Sequence, residues 1–204
     1  MTSKISDKVI NRLTLYHCIL QDFLLKGEES ISSKQIAQLL HIDDSQVRKD
    51  ISVLDNSGKS RVGYIIKELK SCIEKTLGFK KTKNACIIGA GNLGSALAKY
   101  DSFTNYGLNI VALVDTDKKK ISSTVNNKKI YDLTDFSNVV KENYIDIAIL
   151  TVPKDYAQST ADVIISAGVK YIWNFAPVVL NVPDNVQVWN ENLVGNFLQF
   201  TYSM

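Results

Sequence analysis

Apolar residues in the first third of the chain recur at helical spacing. Ile10, Leu13, His17, Leu20 and Leu24 are separated by 3, 4, 3 and 4 positions, which predicts one helix with a single buried stripe, stopped by Gly27. Ser32 followed by Gln35 reads as a capping box, and Ile36, Leu39 and Leu40 give a short second helix its apolar face. The turn His41-Ile42-Asp43 ends that helix. Asp43 is expected to cap a third one with Gln46 reaching back, while Val47, Ile51 and Leu54 supply its buried stripe. Asp55 to Ile65 holds turn residues, two cations and a β-prone end, the pattern of a two-stranded wing. Ile66, Leu69, Ile73 and Leu77 predict a further helix closed by Gly78, and Lys80-Lys81-Thr82-Lys83 follows as a linker.

Beyond the linker the period shortens. Ala85-Cys86-Ile87-Ile88 is a short apolar run that opens into Gly89-Ala90-Gly91-Asn92-Leu93-Gly94 and then a helical pattern. Leu108 to Val114, Lys129 to Tyr131, Ile145 to Leu150 and Val169 to Trp173 read as strands, with a helix on Ala157, Ala161, Ile164 and Ile165. This alternation predicts a mostly parallel sheet with helices on both faces. A final helix is expected at about 190–203. The division is therefore residues 1–80, winged helix-turn-helix, and 81–204, a Rossmann-like α/β domain that includes the last helix.

Composition adds limits. With 204 residues and 45% hydrophobic content the chain can build ordinary cores, and no apolar run reaches membrane-helix length. Met1 to Val9 is polar, unlike a signal peptide, so a cytoplasmic protein is expected. Cys18, Cys72 and Cys86 lack a paired spacing and are expected to be buried thiols; His17 and His41 have no partner at metal-ligand spacing, so no metal site is expected. The net charge of +3 lies entirely in residues 1–80, which carry 13 basic and 10 acidic side chains. That excess is compatible with a polyanionic partner.

Two sets of residues carry candidate chemistry. In the glycine run, Gly89 suits a tight turn, Gly91 lets the main chain approach a pyrophosphate, and Gly94 lets the helix pack on its strand. Asn92 and Leu93 lie at the helix start. Asp115 ends the next strand 21 residues beyond Gly94, the spacing of an acid that binds ribose hydroxyls and repels a 2′-phosphate. The loops Thr151-Val152-Pro153 and Phe175-Ala176-Pro177 are candidates for the rest of a nucleotide pocket. In the third helix, Ser45, Gln46, Arg48, Lys49 and Ser52 suit a DNA groove, with Lys59 and Arg61 on the wing reaching phosphates. A solvated helix face is the alternative for the first part, and an empty Rossmann-like fold for the second. No histidine lies beyond His41 and no substrate domain follows, which argues against an enzyme. A small NAD-dependent oxidoreductase and a CoA-binding or nucleotide-free scaffold remain the alternatives.

From Ile10 to Tyr202 the chain resembles the Rex family of bacterial redox-sensing repressors. The resemblance rests on Gln46-Val47-Arg48-Lys49-Asp50, Val62-Gly63-Tyr64, Gly89 to Leu97, Ala148 to Pro153 and Asn174 to Leu180. It implies a homodimer with exchanged C-terminal helices that binds operator DNA when NADH is low and releases it when NADH binds. NADH and NAD+ are then effectors, not substrates. By the same resemblance Tyr64 belongs to the DNA-binding wing, Tyr100 lies near the nicotinamide, and Arg12 makes an interchain contact that depends on nucleotide, with Asn192 where the family has its acidic partner. The chain departs from the family pattern at Val53-Leu54-Asp55, Ser60-Arg61 and Asn192, and at Ser122, which stands where a glycine is usual.

Overall fold

The computed structural model describes residues 5–54 and 63–202. The chain divides into two compact units, Met1–Lys80 and Lys81–Met204. In the first, α1 (Asp7–Leu25), α2 (Ser33–Leu40), α3 (Asp44–Ser52) and α4 (Ile66–Leu77) enclose a core of Leu13, Leu20, Ile36, Val47, Leu69 and Ile73. The capping box forms as expected: Ser32 Oγ accepts from Gln35 N–H at 3.2 Å and Gln35 Oε1 accepts from Ser32 N–H at 2.9 Å. Asp43 caps α3, but through Ser45 N–H at 2.7 Å. Gln46 does not reach back. Its amide Nε2 instead donates one turn forward to the buried carboxylate of Asp50 at 2.7 Å, a charge-assisted bond.

Of the expected wing only the last part is among the described residues. Its last part is strand β2 (Tyr64–Ile65), and this pairs antiparallel with β1 (Ser30–Ile31), an element the sequence pattern did not announce. Two residues are too few for alternation to show. The remainder of the expected wing, with Lys59 and Arg61, lies outside the described residues.

The second unit is a seven-stranded sheet of β3 (Lys83–Ile88), β4 (Leu108–Asp115), β5 (Thr124–Val125), β6 (Lys128–Asp132), β7 (Ile147–Leu150), β8 (Tyr171–Asn174) and β9 (Gln187–Asn190), in the order β5-β6-β4-β3-β7-β8-β9. All neighbours are parallel except β5 with β6. Lys83 is thus the first residue of β3, and Asn190 ends a strand instead of starting the last helix, α8 (Leu193–Tyr202). Alternate residues of β3 face opposite cores. Cys86 and Ile88 meet α6 (Phe136–Asn143) and α7 (Lys154–Ser166), whereas Ala85 and Ile87 face the side of α5 (Asn92–Ala98). Burial on both faces is why the strand reads as unbroken apolar sequence.

The chain order reverses at β3, with β4 and β6 to one side and β7 onward to the other. That places a crevice beyond the C-terminal ends of β3, β4 and β7, where α/β sheets bind ligands. Of the three cysteines only Cys86 is buried; Cys72 is half-buried and Cys18 exposed. Cys18 sits one residue past His17, a rotation of about 100° that takes it off the inward stripe of α1. Among the described residues no helix is long and apolar enough to cross a membrane, and no cluster of His, Cys, Asp and Glu could hold a metal.

Candidate functional site

The crevice contains a cavity of about 400 Å³ lined by Gly89, Gly91, Asp115, Thr151, Val152 and Pro153, together with Ile88, Val114, Thr116, Lys120, Leu133 and Tyr156. Six of the residues expected at a nucleotide site are therefore brought together. The glycine turn is clamped from both neighbouring strands. Gly89 N–H donates to Val114 O at 2.8 Å, and Thr151 Oγ1 donates to Gly89 O at 2.8 Å. Gly89 has φ +107°, and a Cβ on Gly94 would lie 2.0 Å from Gly89 O, so both positions require glycine. Beside Gly91 there is nothing within 4 Å of where a Cβ would stand, which leaves its backbone open to a ligand.

Asp115 is held but not saturated. Oδ2 accepts from Ala90 N–H at 2.8 Å and Lys120 Nζ at 3.2 Å; Oδ1 accepts from Asp117 N–H at 2.8 Å. A carboxylate offers about four acceptor directions, and one on Oδ1 remains for a hydroxyl in the cavity. Burial is the largest influence on its pKa and pushes it up, but the three donors together outweigh it and hold the group below the usual carboxylate range. It is ionised at neutral pH, as an acceptor for a ribose diol must be. The donor set and the open glycine backbone fit the adenosine and pyrophosphate of a dinucleotide.

The other expected contacts lie apart from this cavity. Asn92 and Leu93 are exposed at the start of α5. Tyr100, 56% exposed, is joined to Phe175 by a series of rings: Tyr100 to Phe103 at 4.9 Å and Phe103 to Trp173 at 5.8 Å, both edge-to-face, and Trp173 to Phe175 at 5.0 Å, tilted. The loop Phe175-Ala176-Pro177 is organised by Asn174. This buried side chain accepts from Ala176 N–H at 2.9 Å and donates to Val178 O at 2.9 Å.

On α3, Ser45, Arg48, Lys49 and Ser52 share the exposed face. Arg48 pairs with Asp44 one turn back and reaches Ser33 Oγ at 3.5 Å. An exposed pair of this kind is weak, so the guanidinium can be exchanged onto another acceptor. Tyr64, half-buried, stands close enough to Arg48 for that charge to lower its phenol pKa, although burial raises it more.

Residues 80–178 match a family model of the CoA binding domain, and residues 4–52 match the Put_DNA-bind_N model of DNA-binding protein N-termini. The redox-sensing transcriptional repressor Rex of Carboxydothermus hydrogenoformans is 41% identical over 201 residues, 98% of this chain and 97% of the relative. That of Thermoanaerobacter pseudethanolicus is 37% identical over 99% of this chain and 90% of its own length. The chain belongs to the Rex family of redox-sensing transcriptional repressors. Among solved structures, RSP in complex with β-NAD+ and operator DNA superposes with a TM-score of 0.90 at 37% identity, covering 98% of this chain and 93% of that one. RSP in complex with β-NADH gives 0.86 at 37% identity, with 98% and 94% covered.

Two positions that the resemblance places in an interchain contact have partners within the chain itself. Arg12 is engaged inside its own unit. Its Nε and Nη2 donate to Asp50 Oδ2 and Oδ1 at 2.5 and 2.8 Å, and Tyr16 OH donates to Oδ2 at 2.7 Å. An interchain partner would have to displace that pair. Asn192 accepts from Gly195 N–H at 2.8 Å and so caps α8. The acid at this place in the chain is Glu191, whose Oε1 accepts from Trp173 Nε1 at 2.9 Å and Trp189 Nε1 at 3.2 Å.

Sequence reasoning also missed cavity residues. Nothing in the run Lys118-Lys119-Lys120 says which lysine folds back, and the structure selects Lys120. Tyr156 follows the Thr151-Val152-Pro153 loop by one turn of α7 and could have been found from that adjacency. Ser122 explains its own departure: its φ is +70°, in the left-handed region where the family's glycine is at ease.

Proposed function

We propose that this chain is a homodimeric repressor that holds operator DNA through α3 and lets it go when NADH enters the cavity at Asp115. The observation that carries the reading is the likeness over 98% of the chain to RSP, a repressor solved both with NAD+ and operator DNA and with NADH. The chain's own residues supply matching parts. Asp115 receives the adenosine ribose, Gly91 and the start of α5 at Asn92 and Leu93 face the pyrophosphate, and Gly94 holds the helix against its strand. Thr151, Val152 and Pro153 wall the cavity, and the Tyr100 and Phe175 rings with Ala176 and Pro177 serve the nicotinamide end. NADH supplies an occupant whose binding differs with redox state, and it is an effector here, without turnover. The protein acts in the cytoplasm, where its DNA is.

Ser45, Arg48, Lys49 and Ser52 read the groove, with Gln46 limited by its bond to Asp50 and Tyr64, Lys59 and Arg61 nearby in the chain. Coupling is reciprocal: if NADH weakens DNA binding, DNA weakens NADH binding by the same factor. Titrating NADH into a complex of the protein with labelled operator DNA is the test. The expected result is progressive release, and an affinity that does not change would defeat the reading.

Dimerisation has its own support. None of the described residues of α8 is buried in its own chain, and Leu193, Val194, Phe197 and Leu198 are each more than half exposed. On the sheet, a second cavity of about 460 Å³ is lined by Leu108, Ile147, Tyr171, Trp173, Val188 and Trp189. An apolar helix and an apolar groove on identical chains suit an exchanged, two-fold contact. Phe197→Glu should convert dimer to monomer in analytical ultracentrifugation, and an unchanged dimer would remove α8 from the interface.

A further inference from the structure

A glutamine is an ambiguous reader of bases, because its amide can turn over and offer either N–H donors or a carbonyl acceptor to the same place. On α3 that freedom is removed. Gln46 is the third residue of the helix, half-buried, and its Nε2 donates to Asp50 Oδ1 at 2.7 Å. The carboxylate is itself held: Arg12 donates to its two oxygens at 2.5 and 2.8 Å, and Tyr16 OH donates to Oδ2 at 2.7 Å. Burial pushes the Asp50 pKa up, but Arg12, Tyr16 and Gln46 together bring it below the usual carboxylate range. Ionised at neutral pH, it can only accept. A Gln46 amide turned over would set Oε1 against Asp50 Oδ1, acceptor on acceptor, and lose a charge-assisted bond. Among the described residues Oε1 accepts no hydrogen bond, and it is open to solvent. The end of Gln46 left for a partner is therefore its carbonyl oxygen.

We propose that Asp50 is a positioning residue for base recognition: it holds Gln46 with Oε1 outward, so that Gln46 selects a base presenting an amino group in the major groove, adenine N6 or cytosine N4. The proposal rests on the reading of α3 as the groove-reading helix and deepens it. The first turns of such a helix are where side chains meet base edges. In the major groove the donors are the amino groups of adenine and cytosine, whereas guanine offers N7 and O6 and thymine O4, all acceptors. An outward carbonyl oxygen bonds the first two bases and is repelled by the other two. The second N–H of the amide stays available for adenine N7, so adenine can be held at two points and cytosine at one. Arg48 and Lys49 on the exposed face carry donors only and ask the opposite of a base.

The readout is the dissociation constant of labelled operator DNA, followed by fluorescence anisotropy on the full chain. In a set of duplexes each adenine of one half-site is replaced in turn by purine, and each cytosine by 2-pyrimidinone, analogues that lack the amino group. At one of these positions wild type should lose about fivefold or more in affinity beyond what Gln46→Ala loses there, the size of a base contact. The base concerned tells adenine from cytosine. Asp50→Asn offers Gln46 a donor as well as an acceptor and should abolish that excess, because the amide can then turn over. Where Asp50→Asn does not fold, the comparison of wild type with Gln46→Ala decides alone. The proposal is overturned by an excess that a folded Asp50→Asn retains, or by no excess at any position while Arg48→Ala still weakens binding. Operator affinity that Arg48→Ala and Gln46→Ala both leave unchanged takes α3 out of the groove and overturns the reading beneath the proposal, a different result from the same titrations.

Discussion

Asp50 in the helical unit and Asp115 in the sheet unit are both carboxylates surrounded by donors, yet they do opposite things. Asp50 accepts four hydrogen bonds, two from Arg12 and one each from Tyr16 and Gln46, and its side chain is 1% exposed. Asp115 accepts three, its side chain is 11% exposed, and the fourth direction opens on a cavity. A saturated buried carboxylate fastens α1 to α3 beneath the exposed face of α3. An unsaturated one at a cavity wall is a receptor. The number of donors left out, more than the presence of the charge, separates a rivet from a binding site.

The largest effect should come from breaking the saturated centre. Asp50→Ala leaves Arg12 and Tyr16 without their acceptor and is expected to cost about 3–5 kcal/mol in urea denaturation. Asp115→Ala should cost less than about 1 kcal/mol of stability. If the two variants melt alike, the contrast between them is wrong. The acid limb sharpens it. Burial raises the Asp50 pKa, but Arg12, Tyr16 and Gln46 together bring it below the ordinary carboxylate value of 3.8. Its stabilising share is therefore complete above that pH and lost as pH falls through the lowered folded value. Tyr16 is the mirror case: burial first, then Asp50, raise its phenol above the ordinary 10.0. Its share holds below that pH and disappears as pH rises through the raised value. Asp50→Asn should flatten the acid side of a stability-against-pH curve.

The receptor side should respond in binding. Asp115→Ala is expected to weaken NADH by about tenfold or more, as one or two charge-assisted bonds are lost, and to leave nucleotide-free operator affinity intact. Arg48→Ala should do the reverse and cost about 1–3 kcal/mol in operator affinity, with relaxed base preference, if the contact is bidentate. Loss of both activities in either variant would show that the units are not separable. The smallest effect is at Ser122. Replacing it by glycine relieves a left-handed residue and should stabilise the chain by up to about 1 kcal/mol in thermal denaturation, with no change in NADH affinity.

How far the sequence could be read followed how local each feature is. The glycine turn and Asp115 are visible because a strand, a turn and a helix fix their spacing within one stretch of chain. The capping box at Ser32 was legible for the same reason. Asp50 gave a signal that went unused: it falls on the inward stripe of α3 with Val47 and Ile51, where a charge needs a buried partner, and Arg12 and Tyr16 stand one turn apart on α1. Which residues meet it is a matter of packing, and spacing cannot say. Lys120 and the short β1 strand were hidden for the same reason, since each is defined by a contact with residues distant along the chain or by a turn of irregular backbone. The capping role expected of Gln46 failed because its amide Nε2 donates to Asp50, one turn further along the same helix, which turns the side chain away from the Asp43 N–H.

Both indoles of the chain end on the same carboxylate, that of Glu191, just before α8. The protein thus carries a built-in optical probe at the root of its terminal helix. Trp189 is the more solvent-facing of the pair and Trp173 touches the ring series that leads to Tyr100. Tryptophan emission from the unlabelled protein is consequently a spectroscopic record of whatever happens between that helix and the aromatic residues, and it can be followed in real time as ligands are mixed in.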